Sequence, residues 1–177
     1  TATLQCAFIG RVTQIKRPDR FLDVVTEIKK RQVNLDFFIA GDGELLDTCR
    51  NRIAAEELPV SVLGWRRNIE RVLSAADLVV LTSDNEGTPL SLIQAGMAGL
   101  PVVTTNVGSV PEIVLNNKTG IITELDVQQL ADALENLANN RRLRAQLGKE
   151  AQEFTLANFG VNRLVHDHEV LYKKLLS

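Results

Sequence analysis

The chain has 177 residues, 45% of them hydrophobic, enough to bury the core of one ordinary domain or at most two small ones. Lys and Arg total 20 against 22 Asp and Glu, a formal charge of -2. Bulk electrostatics therefore make no case for a nucleic-acid coat protein or a polybasic membrane binder, and only a local basic pocket stays open.

Short runs rich in Val, Ile, Leu and Phe alternate with stretches of helical period. In chain order, strand 4–10 (LQCAFIG) leads to a helix over 18–30, strand 33–40 (VNLDFFIA) to one over 44–57 and strand 60–64 (VSVLG) to one over 68–75. Strand 77–82 (DLVVLT) then leads to a helix over 89–98 and strand 101–105 (PVVTT) to a short one near 111–115, with 120–123 (GIIT) a weaker sixth strand. This alternation predicts a doubly wound, Rossmann-like α/β fold: a parallel sheet of about six strands with helices on both faces. From residue 126 the pattern is almost wholly helical, so the chain reads as one domain, 1–177, with a sheet core over 1–125 and a helical tail over 126–177. That tail either wraps the sheet or reaches toward a missing partner domain. Ser109 ahead of Pro111 and Glu112, and Asp126 three residues before Gln129, read as helix caps.

Cys6 falls in a strand pattern and Cys49 in a helical one, and the pair lacks CxxC or metal-ligand spacing, so both read as buried, reduced thiols. No apolar run approaches the ~20 residues of a membrane span and no leader opens the chain, so a cytosolic setting is expected. An apolar strand begins within a few residues of Thr1 with no initiator methionine, as in a piece of a longer chain.

Two loops compete as phosphate sites. The GDGELL segment (41–46) follows a strand and opens a helix, but Leu46 stands where a dinucleotide fingerprint needs its third glycine, and no ribose acid follows near SVLGW. It reads instead as a tight turn, with Asp42 a candidate cap. No Walker lysine, HExxH or DxD-like pattern is present, and no metal is expected. The segment SDNEGTPLSLIQ (83–94) starts where a buried strand ends, the place where open parallel sheets bind ligands. Gly87 permits close backbone approach, Thr88 is placed to cap and Pro89 to open the helix, so amides around Thr88, Leu90 and Ser91 would point outward and accept a phosphate. Glu86 suits a polyhydroxyl group beside that phosphate, because a carboxylate accepts bonds from paired hydroxyls. Gln94, four residues after Leu90, shares its helix face. Arg11 and Lys16 follow the first strand and are placed to reach a diphosphate. Against this stands a plain alternative: loop charges and a surface glutamine with no ligand.

Taken in order, GRVTQIKRPDRFLDVV, FFIAGDGEL, VSVLGW, ADLVVLTSDNEGTPLSLIQAGMAGLPVVTTNVGSVPEIV and TGIIT resemble the carboxyl-terminal, donor-binding domain of retaining glycosyltransferases of the GT-B fold, family 4 (glycosyl transferases group 1). The resemblance implies a transferase that moves a hexose from a nucleotide-diphosphate sugar to an acceptor glycan, lipid or small molecule, as in polysaccharide biosynthesis, with no cofactor. It implies that Arg11 and Lys16, next to Gly10, grip the diphosphate, that Glu86 binds the transferred sugar, and that backbone from Gly87 through Thr88 and Pro89 to Leu90 meets sugar and phosphate. Arg11, Lys16 and Glu86 are then the catalytic set. In the family's E-x7-E pattern the second acid holds the ribose; here that position is Gln94, which keeps hydrogen bonding but loses charge assistance. Trp65 and Arg66 stand where the family places the base. Arg17 and Pro18 replace the glycine that usually follows the lysine, so Arg17 either adds a phosphate contact or caps the loop. The acceptor domain is absent from this chain, so the isolated domain is expected to bind donor but transfer poorly, and peripheral membrane association of the whole protein stays open. A non-catalytic sugar-nucleotide module of the same fold is the rival reading.

Overall fold

A computed structural model describes residues 2–176, without the side chains of 162, 164, 175 and 176. Thr1 and Ser177, the ends of the domain as read from sequence, lie outside the described residues. Strands β1 (Leu4–Ile9), β2 (Leu35–Ala40), β3 (Val60–Gly64), β4 (Leu78–Leu81), β5 (Val102–Thr105) and β6 (Ile121–Thr123) pair in parallel, in the order β3-β2-β1-β4-β5-β6. The chain builds outward from β1 to β3, then returns to lay β4 on the other side of β1, so that Phe8 registers against both Ile39 and Val80. Connections of one hand must then leave β1 and β4 toward opposite faces, which opens a crevice at the carboxyl ends of those two strands.

The helices are α1 (Pro18–Lys30), α2 (Leu46–Ala55), α3 (Ile69–Ser74), α4 (Leu90–Met97), α5 (Val110–Ile113), α6 (Val127–Asn139), α7 (Arg141–Phe159) and α8 (Val161–Leu176). Each inner strand is apolar on both sides because both sides are covered. Cys6, Phe8, Phe37, Ile39, Leu78 and Val80 pack against α1, α2 and α6, while Ala7, Ile9, Phe38, Ala40, Val79 and Leu81 pack against α3, α4 and α5. Phe21 of α1 sits between Phe8 and Phe37 with ring centroids 5.0 and 5.8 Å apart, and this trio anchors α1, the helix that leaves the crevice.

The first two tail helices wrap the sheet. Arg31, at the end of α1, bonds Asp132 and Glu135 of α6 at 2.7 and 2.9 Å. α7 lies so close to α4 that a Cβ at Gly96 would stand 2.5 Å from the Thr155 methyl. α8 is different: Val161, Val165, Val170, Leu171 and Tyr172 are about half exposed or more. Among the described residues no helix is long and apolar enough to cross a membrane.

All six predicted strands form, and every predicted helix forms within about two residues of its expected bounds. Asp126 caps α6 as expected, accepting from the Gln129 amide at 2.8 Å. Two other caps do not form. Ser109 precedes α5 without a capping bond, and its hydroxyl oxygen is buried with no partner among the described residues. Asp42 accepts only from the adjacent Gly43 amide, and Leu45 occupies the position before α2, because the turn runs on through Gly43 and Glu44 before helix geometry begins. Cys6 and Cys49 are both buried free thiols, and burial pushes both upward in pKa.

Candidate donor site

Two loops that leave the crevice are joined by backbone as well as by side chains. After β1, Gly10 adopts φ +148°, a conformation other residues avoid, and its amide donates to Ala40 O at 3.1 Å. Val12 N donates to Asp42 O and Leu45 N to Val12 O, so the loop after β2 is docked onto the loop after β1. A Cβ at Gly41 would lie 1.8 Å from Gly10 O, which is the physical use of the GDG segment: backbone packing.

The chain then makes a 3-10 turn, Gln14–Lys16, and places Arg17 at φ 50°. Across the crevice, β4 is followed by Thr82 and Ser83, both fully buried. The Thr82 hydroxyl lies 3.1 Å from the carbonyls of both Lys16 and Arg17, and Asp84 N donates to Ile15 O at 2.9 Å. Polar side chains at the end of a buried strand thus satisfy the backbone of the opposite loop.

Glu86 is held from three directions. Its Oε1 accepts from Lys16 Nζ and from Ser83 Oγ, each at 2.5 Å, and the residue is 8% exposed. Thr105 at the end of β5 fixes Ser83 by donating to its carbonyl at 2.7 Å. The Glu86 carbonyl accepts from Ser109 N at 3.1 Å, and Gly108, at φ +53°, comes so close that a Cβ there would stand 1.8 Å from that oxygen. A carboxylate this buried needs such partners, since unpaired it would carry a large desolvation cost.

The amino end of α4 departs from expectation in one detail. Thr88 does not cap it and Pro89 is not its first helical residue; Pro89 is itself the cap position, with no side-chain capping bond. The amides of Gly87, Thr88, Leu90 and Ser91 have no acceptor among the described residues, and a Cβ at Gly87 would meet nothing within 4 Å. Amides of this kind, at the positive end of a helix, accept an anion.

Arg11 is exposed and shares a cleft of about 250 Å³ with Gly10, Asp42, Trp65 and Arg66. Trp65 is 68% exposed, so it is no packing residue. The structure therefore brings together Lys16 with Glu86, and Arg11 with Gly10, Trp65 and Arg66. Gln94 joins neither group. It is half-buried and lines an adjoining groove of about 650 Å³ between α3 and α4, with Leu73, Met97 and Leu100; Ile69 borders both spaces. Leu90, expected to share its face, is 65% exposed. Sequence reasoning missed Ser83, Thr105, Gly108 and the pairing of Arg17 and Arg20 with Asp84. The polar TSD run directly after an apolar strand was the available signal for the first and last of these.

A doubly wound parallel sheet with a cation, a carboxylate and an open helix amino terminus at its switch point defines an α/β ligand-binding domain of the nucleotide-binding class. The chain belongs to the family Glycosyl transferases group 1, whose family model matches residues 3–154. It is 27% identical over 172 residues to N-acetyl-alpha-D-glucosaminyl L-malate synthase of Bacillus anthracis, which covers 93% of this chain and 45% of that protein. It is 28% identical over 170 residues to the UDP-Gal:alpha-D-GlcNAc-diphosphoundecaprenol alpha-1,3-galactosyltransferase of Escherichia coli, covering 93% of this chain and 44% of that protein. The chain thus spans a little under half the length of these curated relatives. Among solved structures, a mutant of S. aureus TarM in complex with Fondaparinux, alpha-GlcNAc-glycerol and UDP aligns with a TM-score of 0.89 at 27% identity, over 97% of this chain and 36% of that one. The C-terminal domain of the glycosyl transferase group 1 family protein LpcC from Francisella tularensis shares the fold, with a TM-score of 0.78 at 21% identity over 89% of this chain and 86% of that one. The fold is that of one half of a GT-B glycosyltransferase.

Proposed function

We propose that this chain is the donor-binding domain of a retaining, family 4 hexosyltransferase that takes a nucleoside-diphosphate sugar. One observation carries the reading: a phosphate-seeking cation, Lys16, and a hydroxyl-accepting acid, Glu86, meet at 2.5 Å across the switch point. Diphosphate placed between Arg11, Lys16 and the amides of Gly87 to Ser91 is neutralised by two cations and a helix amino terminus as it leaves, without need of a metal. Glu86 then accepts hydroxyls of the transferred sugar, and Trp65 with Arg66 receives the base. UDP is the favoured nucleotide, because UDP is bound in the TarM complex. The acceptor, a glycan or lipid, is held by an amino-terminal domain in the whole protein, which acts in the cytoplasm or at the inner face of the membrane; this chain alone transfers little.

Calorimetric titration with UDP, GDP and ADP, each with and without EDTA, tests the reading in wild type and Arg11→Ala. Saturable UDP binding that is indifferent to EDTA and lost in the variant is expected. No binding of any nucleotide at millimolar concentration would overturn it. Gln94 favours a second reading, a non-catalytic sugar-nucleotide module. Gln94→Glu separates the two: donor affinity rises by about 1–2 kcal/mol if the glutamine weakens a working ribose contact, and stays level in a repurposed scaffold.

A further inference from the structure

We propose that Arg17, Arg20 and Asp84 form a clamp that sets the position of Lys16 against Glu86, making Arg17 a positioning residue and not a phosphate ligand. The inference rests on the donor-site reading above. Arg17 directly follows Lys16, and Asp84 lies two residues before Glu86. The two members of the proposed donor site are therefore flanked by the two halves of one charge cluster.

Each nitrogen of the Arg17 guanidinium donates to a carboxylate. Its Nε and Nη2 donate to the Asp19 carboxylate at 2.9 and 2.7 Å, and its Nη1 reaches both Asp84 oxygens at 3.0 and 3.2 Å. Arg20, 7% exposed, donates to Asp84 at 2.8 Å and to Thr82 O at 2.7 Å. Two arginines against two aspartates sum to no net charge, so the cluster adds nothing to the attraction for a phosphate. Arg11, with no ion-pair partner among the described residues, supplies that attraction instead.

The backbone points the same way. Arg17 holds a left-handed conformation, φ 50° and ψ 57°, that a glycine adopts without strain. Gln32, Glu57 and Asn117 share that backbone conformation, but of the four it is Arg17 whose side chain makes ion pairs among the described residues. What it does is bridge from one loop to the other. The bridge is doubled by the bonds from Thr82 Oγ1 to the Lys16 and Arg17 carbonyls and from Asp84 N to Ile15 O. Between them these contacts leave Lys16 one place to stand relative to Glu86.

Asp84→Asn and Arg17→Gly separate a clamp from a phosphate ligand. Arg17→Gly relieves the backbone strain, so its melting temperature is expected to stay near that of wild type while its UDP affinity falls about threefold to tenfold. Asp84→Asn removes the charge that ties both guanidiniums to the second loop, leaving Arg17 on Asp19 and Arg20 on the Thr82 carbonyl. A clamp predicts weaker UDP binding in this variant; a restrained phosphate ligand predicts tighter binding, and that result overturns the proposal. Arg17→Lys keeps a cation but cannot span both carboxylates, so it is expected to bind UDP as poorly as Arg17→Gly; recovery to wild-type affinity overturns the proposal too. Amide hydrogen exchange on the ligand-free chain stands apart from nucleotide binding. Faster exchange at the Lys16, Arg17 and Asp84 amides, which donate to Thr13, Gln14 and Ile15 carbonyls, is expected in Asp84→Asn with β1 and β4 unchanged, and unaltered exchange there overturns the clamp. Failure of wild type to bind UDP, GDP or ADP would instead strike the donor-site reading, with the exchange result still deciding the clamp.

Discussion

The two ends of the crevice are built differently. Where β1 meets β4, Lys16 is held on Glu86, Glu86 on Ser83 and Ser83 on Thr105, while Arg11 beside them is exposed. Where β2 meets β3, the groups proposed to meet the base stand in solvent, with Trp65 68% exposed and Arg66 on the wall of an open cleft. The first end is preorganised and costs little to order on binding; the second must gather its side chains around the ligand. The difference matches the chemistry. Charge that develops on the diphosphate must be met by groups already in place, whereas a base needs only a surface to rest on.

The most severe way to break the preorganised end is to push its backbone. Gly108→Ala brings a Cβ to 1.8 Å from Glu86 O at a residue with φ +53°, so the loop carrying Glu86 must move. A loss of roughly 2–4 kcal/mol in unfolding free energy is expected, from overpacking and backbone strain together. Urea denaturation checks it. Stability within 0.5 kcal/mol of wild type (roughly the scatter of an ordinary surface change) would mean that the contact is soft.

Glu86→Gln probes the same end without moving it, and two ligands should respond with opposite sign. In the free chain the Lys16 charge is spent on Glu86. A sugar-free nucleotide must compete for that lysine, so neutralising Glu86 should tighten UDP binding by about 1 kcal/mol, roughly fivefold. A nucleotide sugar also uses the carboxylate, so its affinity should fall by about 1.5–3 kcal/mol as charge-assisted bonds to hydroxyls are lost. Parallel titrations with UDP and UDP-sugars decide it. Equal loss for both would show that Glu86 only scaffolds the loop.

What the sequence made legible follows the same division. β-branched runs and helical period defined all six strands and their helices, because burial on both faces leaves a pattern that local composition carries. Arg11, Lys16 and Glu86 were legible as charges at strand ends. What held Lys16 and Glu86 was not. Ser83, Thr105 and Gly108 act through contacts across β4, β5 and the loops beyond, and a serine after a strand looks the same whether or not it donates to a carboxylate. Thr88 as a cap failed for a related reason: Pro89 took the cap position itself, which local preference does not foresee. Gln94 was read from helix spacing as a neighbour of Leu90, yet α4 turns one into the groove beside α3 and the other outward.

The smallest expected effect lies in the charge cluster and appears only in acid. Asp84 is raised by burial, but hydrogen bonds from Arg17 and Arg20 outweigh that and leave it below its ordinary 3.8; Asp19 is lowered chiefly by Arg17. Carboxylates whose pKa falls on folding stabilise the chain above their ordinary value, and that stabilisation is lost as pH drops through the lowered folded values. The window is therefore below about pH 4. Both carboxylates are around half exposed, so solvent screening holds the pairs to less than ~1 kcal/mol in total. Removing Arg17 returns both groups toward ordinary titration. The acid limb of the stability curve should then be shallower in Arg17→Gly than in wild type, and the difference between the two curves should become constant once pH has fallen below the lowered folded values. Parallel curves across the whole range would place the arginine outside the folding balance, leaving any effect on nucleotide affinity to geometry alone.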